Sequence, residues 1–193
     1  MVDSPNKRLR PRLRRSGRLR EIANLLVFVT AVYTLLEMAI PRSVVEQSSM
    51  NPTLNEGQRL LISRVSFLFS EPQRGSIVVF EAPDGQPGAP PLIKRLIGLP
   101  GERLEFRDQS VYIEGTKLDE PYLNEACSPL NCEDDMWEIG VDGYFFMGDN
   151  RNHSRDSRAF GPVRREHLVG RAIVRWWPPA ALSFLTYNYD EVN

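Results

Sequence analysis

Residues 22–40 form an apolar run relieved only by Asn24 and Glu37, free of proline and glycine, and closed by Pro41. As a helix these nineteen residues span about 28 Å, close to the thickness of a bilayer core. Ala, Leu and Val dominate the run, which favours a single transmembrane span over a buried amphipathic helix. Glu37 sits near the end, where its carboxylate reaches the interface. Eight basic residues stand in front: Lys7, Arg8, Arg10, Arg12, Arg14, Arg15, Arg18 and Arg20, against Asp3 and Glu21. Residues 1–21 therefore hold +6, and since the formal net charge is −1, the remainder holds −7. The positive-inside rule places the basic tail in the cytoplasm and residues 41–193 outside. A cleavable signal peptide would have a shorter core and a small-x-small site, whereas Ile40, Pro41, Arg42 and Ser43 follow here, so the anchor is read as retained. An arm for nucleic acid would explain the arginines but not the apolar run beside them, and no nucleic-acid partner is expected.

The rest of the chain has room for one domain. With 41% apolar and 25% charged residues among 193, disorder and a disulfide-rich miniprotein are both excluded. From Arg59 onward short apolar runs are cut by Gly and Pro, and no long stretch has a helical period, so the fold class is mainly β behind one N-terminal transmembrane helix. Strands are predicted at 59–65, 76–80, 92–99, 103–106, 111–114, 144–147 and 171–175. Leu104 and Phe106 face Val111 and Ile113 across a tight turn at Asp108 and Gln109, a hairpin pattern. Residues 81–91, EAPDGQPGAPP, are surface loop chemistry. There is no internal repeat. The organisation is thus a basic cytoplasmic tail (1–21), a transmembrane helix (22–40) and an extracytoplasmic β-rich domain (41–193). Cys127 and Cys132 lie in the loop-like stretch 124–135. With two histidines in the chain, a four-ligand zinc site fits poorly. In an exported domain a small disulfide loop is favoured over two free thiols.

A serine nucleophile needs a base beside it and donors aimed at the developing oxyanion. His153 and His167 have no acidic orienting partner at a recognisable spacing, and no G-x-S-x-G is present. A lysine serves instead if burial lowers its pKa. Lys94 lies inside the apolar run LIKRLI of a predicted strand. Because a strand alternates its faces, Lys94 and Arg95 point oppositely, and only one of them is expected to be buried. A strand lysine on a solvated face is the competing reading.

Three segments change that balance. Ser48-Ser49-Met50-Asn51-Pro52-Thr53-Leu54, Lys94-Arg95-Leu96-Ile97-Gly98-Leu99-Pro100-Gly101-Glu102 and Gly148-Asp149-Asn150-Arg151-Asn152-His153-Ser154-Arg155-Asp156-Ser157-Arg158 resemble, in order and spacing, the S-M-x-P-T-L, K-R-x-x-G-x-P-G and G-D-N-x-x-x-S-x-D-S-R boxes of the bacterial type I signal peptidases. Taken singly, each box also reads as turn or strand-ending chemistry. The resemblance covers about residues 22–177. It implies a membrane-bound serine endopeptidase, without metal or cofactor, that removes signal peptides from exported preproteins through an acyl-enzyme. Small residues would occupy the −1 and −3 positions of the substrate. Carried over by position, Ser49 is the nucleophile, Lys94 the general base, and Ser154 the hydroxyl that orients the amine. Met50 positions the nucleophile and lines the small-residue pocket. Asp156 and Arg158 form a structural ion pair, and Asp149 and Asn150 shape the turn beneath the site. The oxyanion donors would be the Ser49 N–H and the side chain two residues upstream, a serine in many members and Gln47 here. Glu46, Ser76, Asn152 and His153 are further departures.

The chain geometry adds a constraint. Ser49 lies nine residues beyond Ile40, so the nucleophile works within about 30 Å of the membrane end. Phe67-Leu68-Phe69 and Trp176-Trp177-Pro178-Pro179 are either buried core or an interfacial footing, with Phe67, Phe69 and Trp177 dipping into lipid. A monomer in the bilayer is expected. Two rivals stand beside this reading: a self-cleaving repressor-type Ser/Lys protease, whose DNA-binding domain would need the place taken by the anchor, and an inactive membrane-tethered binding module. Residues 178–193 either fold onto the body or trail along the membrane.

Overall fold

A computed structural model of the chain describes residues 15–185. It divides into two units, broken between Met38 and Ala39. The first is helix α1, Arg15–Ala39, of which Gly17–Ala39 is long and apolar enough to cross a membrane. It begins inside the basic tail because Arg and Leu are good helix formers and no proline lies between Pro11 and the span. Pro41 ends it, since the residue before a proline is pushed out of the helical region. Leu25, Val27, Phe28 and Leu36 are all exposed along it.

Among the described residues the second unit is built on twelve strands: β1 (Arg42–Val44), β2 (Arg59–Ser63), β3 (Ile77–Phe80), β4 (Leu92–Gly98), β5 (Arg103–Arg107), β6 (Ser110–Ile113), β7 (Thr116–Lys117), β8 (Asp135–Glu138), β9 (Gly143–Met147), β10 (Val163–Arg164), β11 (Leu168–Trp177) and β12 (Ser183–Phe184). The larger sheet runs β1-β2-β11-β3-β4-β9-β10, with β12 added to β11, and the smaller runs β7-β6-β5-β8. Every pairing is antiparallel.

Each of the seven predicted strands overlaps an observed one. The 171–175 prediction grows into the ten-residue β11, which pairs with β3 through its first half and β2 through its second, bending at register shifts. The β5–β6 hairpin has the expected register, Leu104 opposite Ile113 and Phe106 opposite Val111, and its turn residues Asp108 and Gln109 both take positive φ. That is the two-residue hairpin turn whose twist matches the strands. The strands β1, β7, β8, β10 and β12 carry no sequence signal of their own; they are short and held by partners. Residues 178–185 fold back through β12, Phe184 opposite Val174, while 186–193 lie outside the described residues.

β3 is buried along all four residues and packs a separate cluster on each face. Ile77 and Val79 join Met50, Leu54, Leu60 and Ala172. Val78 and Phe80 join Leu96, Tyr144, Phe146 and Val163. A third cluster fills the small sheet around Leu104, Phe106, Val111 and the Cys127–Cys132 disulfide. This two-sided covering corrects one expectation. Lys94 lies opposite Val78 and Arg95 opposite Ile77, so they do leave opposite faces. Yet both are buried, at 1% and 3% exposure, because neither face of β4 meets solvent there.

Candidate active site

Ser49 sits in a single 3-10 turn, Ser48–Met50, just after the edge strand β1. The turn is nailed down from below: Met50 is wholly buried in the core, and the Leu54 N–H donates to its carbonyl at 2.8 Å. Met50 therefore packs beneath Ser49, and it is not among the residues lining the groove beside it. From above, the Asn150 N–H donates to the Ser49 carbonyl at 3.0 Å, and Asn150 Nδ2 donates to the Ser48 carbonyl at 3.3 Å. Backbone bonds and a buried anchor thus hold Ser49 on both sides.

Lys94 reaches it from the middle of the large sheet. Its Nζ donates to Ser49 Oγ at 2.8 Å and to the Ile93 carbonyl at 3.0 Å. Burial disfavours the ammonium and lowers the pKa from 10.5 to about 8, although the charges of Asp156 and Asp149 pull the other way. A lysine so placed is neutral in a usable fraction of molecules at mildly alkaline pH and can accept a hydroxyl proton.

The third box packs against the same point. The Gly148 N–H donates to Asp156 Oδ2 at 2.9 Å. A Cβ at position 148 would collide with Ser154 Oγ and stand 2.5 Å from the Ser49 carbonyl oxygen, so only glycine fits between the two serines. Asp156 is fully buried, bonded at Oδ1 and Oδ2 by Arg158 at 2.8 and 2.9 Å. Burial alone would raise its pKa, but the Arg158 bonds and charge and the Gly148 N–H hold it below the ordinary aspartate value. Arg158 also donates to Cys132 Sγ and to the Arg151 carbonyl, joining the disulfide loop to the box. Ser157 Oγ accepts the Phe146 N–H, which ties the box to β9.

One expected contact is absent. Ser154 does not bond Lys94: its hydroxyl is buried with no hydrogen-bond partner, although it lies near enough to Asp156 to help lower that pKa. Gln47 is exposed and extended, and its side chain makes no cap on the Ser48–Met50 turn. Gln47, Glu46, Pro90, Pro91 and Ile93 line the groove beside Ser49 and Lys94.

Sequence reasoning missed three buried charged side chains, Arg95, Arg151 and Glu120, and the half-buried Tyr122. Arg95 is bidentate to Asp149, at 2.8 and 2.6 Å, and also holds the Gly75 carbonyl at 2.9 Å. Glu120, Arg151 and Tyr122 form a second buried cluster beside it. Arg95 and Arg151 stood inside quoted boxes and could have been flagged as arginines in apolar surroundings, whereas Glu120 and Tyr122 lay in a segment with no motif.

A serine hydroxyl bonded to a desolvated lysine beside an open groove on a β-sheet is the equipment of a serine hydrolase with an amine base. The model of the signal peptidase family, peptidase S26, matches residues 19–177, and the chain belongs to that family. It is 40% identical to a probable signal peptidase I-2 of Synechocystis sp., over 84% of this chain and 76% of that protein. It is 37% identical to a signal peptidase I of Leptolyngbya laminosa, over 73% of this chain and 70% of that protein. A crystal structure of a signal peptidase I from Enterococcus faecalis V583 is 35% identical, with a TM-score of 0.46, covering 53% of this chain and 97% of that one. The chain is accordingly a membrane serine endopeptidase, and the inactive-module reading is not favoured.

Proposed function

We propose that the protein removes signal peptides from exported preproteins, with Ser49 as nucleophile and Lys94 as general base. The observation that carries this reading is the 2.8 Å bond between Lys94 Nζ and Ser49 Oγ, both groups buried and the amine desolvated. Neutral Lys94 takes the Ser49 proton as Oγ attacks the scissile carbonyl. It returns that proton to the leaving amine, then activates the water that hydrolyses the acyl-enzyme. The Ser49 N–H and the Gln47 side-chain amide are the oxyanion donors of this scheme, Gln47 being free of the turn and on the groove wall. Ser154, lodged against Gly148 and beside Asp156, helps hold the third box in place next to the dyad in this reading.

An extended substrate suits the groove. β9 pairs with β4 only from Arg95 onward, so Leu92 and Ile93 keep an open edge facing it. Small residues at −1 and −3 would match a narrow site walled by Ile93 and Pro91. The apolar α1 anchors the chain with the basic tail cytoplasmic and the body outside, and the Cys127–Cys132 disulfide suits an oxidising compartment. For the interfacial footing, Leu68, Phe69, Trp177, Leu182 and Phe184 are exposed, while Phe67 packs on the core and leaves the expected set. The protein acts as a monomer in this reading.

The test is single-turnover cleavage of a model preprotein by detergent-solubilised wild type, Ser49→Ala and Lys94→Ala, with folding checked by circular dichroism. Processing by the wild type alone is expected. An active Lys94→Ala would move the search for the base elsewhere, starting with His153.

A further inference from the structure

The turn that grips Ser49 is itself gripped, from a part of the chain that lies outside all three boxes. Residues 148–151 fold so that the Asn150 N–H meets the Ser49 carbonyl. Two buried arginines clamp this turn. On one side Arg95 holds the Asp149 carboxylate with two nitrogens. On the other, Arg151 folds back and donates from Nε to the Gly148 carbonyl at 3.1 Å. Both arginines then rest on the segment after β7. The ring centre of Tyr122 lies 3.9 Å from the Arg95 guanidinium carbon. The Glu120 carboxylate takes Arg151 Nη1 at 3.1 Å and Nη2 at its other oxygen, and the Tyr122 hydroxyl donates to Glu120 Oε1 at 2.6 Å. The side chains of Glu120 and Arg151 are 6% and 2% exposed, so the pair is sealed from water. Burial alone would lower the Arg151 pKa, but the Glu120 charge and bonds raise it above its ordinary value, which keeps the clamp charged.

We infer that Glu120 is a positioning residue for peptide-bond cleavage: through Arg151 it fixes the 148–151 turn, and through that turn the placement of Ser49 against Lys94, with Tyr122 as its brace. The inference rests on the Ser49–Lys94 reading. Its physical reason is the lack of slack. Gly148 already lies so close to Ser49 and Ser154 that a side chain cannot be fitted, so a displacement of the turn passes directly to the nucleophile. Misplacing a reacting group by 1 Å costs about a hundredfold in rate. A buried ion pair, by contrast, is a poor source of net stability, because desolvation offsets most of its attraction. Stability and positioning can therefore be separated.

The experiment measures kcat, KM and melting temperature of the full-length protein in detergent on a model preprotein. Glu120→Gln alone strands the Arg151 charge and lowers both stability and rate. Glu120→Gln combined with Arg151→Met removes both charges, so the melting temperature recovers while the Gly148 carbonyl loses its donor. Under the inference kcat of this double variant stays at least tenfold below wild type at unchanged KM. Recovery of kcat in parallel with the melting temperature would mean a structural pair only and would overturn it. Tyr122→Phe gives an answer even if the double variant does not fold. It keeps the ring under Arg95 and removes the bond to Glu120, and a threefold or larger fall in kcat at unchanged KM and melting temperature is expected; an unchanged kcat rejects the brace and with it the inference. Ser49→Ala in the same assay separates the two levels. If Ser49→Ala cleaves, the dyad reading fails; if Ser49→Ala is inert and the Glu120 and Tyr122 variants turn over normally, only the positioning role fails.

Discussion

Replacing Lys94 with Met should make the protein inert and, near neutral pH, slightly more stable. In the folded chain Lys94 is 1% exposed and burial lowers its pKa from 10.5 to about 8. At 1.36 kcal/mol per pKa unit, holding the ammonium there costs about 3 kcal/mol below pH 8. Met fills a similar volume without charge, but it forfeits the bonds to Ser49 Oγ and the Ile93 carbonyl, at about 1 kcal/mol each. The net gain at pH 7 is about 1 kcal/mol, or about 2–4 °C in melting temperature for a body of this size. Between pH 8 and 10.5 the unfolded chain binds the proton that the folded chain has released, so wild-type stability climbs with pH across that window. This is opposite in sign to a lysine that gains an acidic partner. Above it both states are neutral, the desolvation cost is gone, and Lys94→Met becomes the less stable protein by about 2 kcal/mol. Urea unfolding in detergent, followed by tryptophan fluorescence at pH 7 and pH 10.5, reads the crossover directly. A wild-type-minus-variant difference that does not change with pH would refute the claim that Lys94 is desolvated, and with it the account of why this lysine can act as a base.

The same amine sets the rate. Cleavage should rise about tenfold for each pH unit below about 8 and level off above it, and a flat profile from pH 6 to 9 would exclude Lys94 as the titrating base. Arg95→Met leaves Asp149 buried without its bidentate partner and should lower stability by about 3–5 kcal/mol in denaturant titrations, whereas a loss under 1 kcal/mol would mean that water reaches the site. Gly148→Ala forces a Cβ against Ser154 and the Ser49 carbonyl, and should reduce single-turnover cleavage at least a hundredfold while the preprotein still binds; normal cleavage would show that the turn has room to move.

The sequence by itself determined more of the chemistry than of the architecture. The anchor was legible because a helix satisfies its own backbone, so length and apolarity suffice to define it. The seven longer strands and the Asp108–Gln109 hairpin were legible because period and turn chemistry are local properties. Ser49 and Lys94 were singled out by matching ordered boxes, and strand parity correctly sent Lys94 and Arg95 to opposite faces. Parity could not say whether both faces were covered, and that depends on clusters assembled from distant strands. The 45-position separation of Ser49 and Lys94 likewise hides a 2.8 Å contact that exists only because β1 and β4 belong to one folded sheet system. The lowered Lys94 pKa, the room for nothing but glycine at 148, and the Glu120–Arg151 support beneath it all arise from burial and close approach between segments far apart in sequence. Which residue types are present is written in the chain, but desolvation and distance come into being only when the chain has packed.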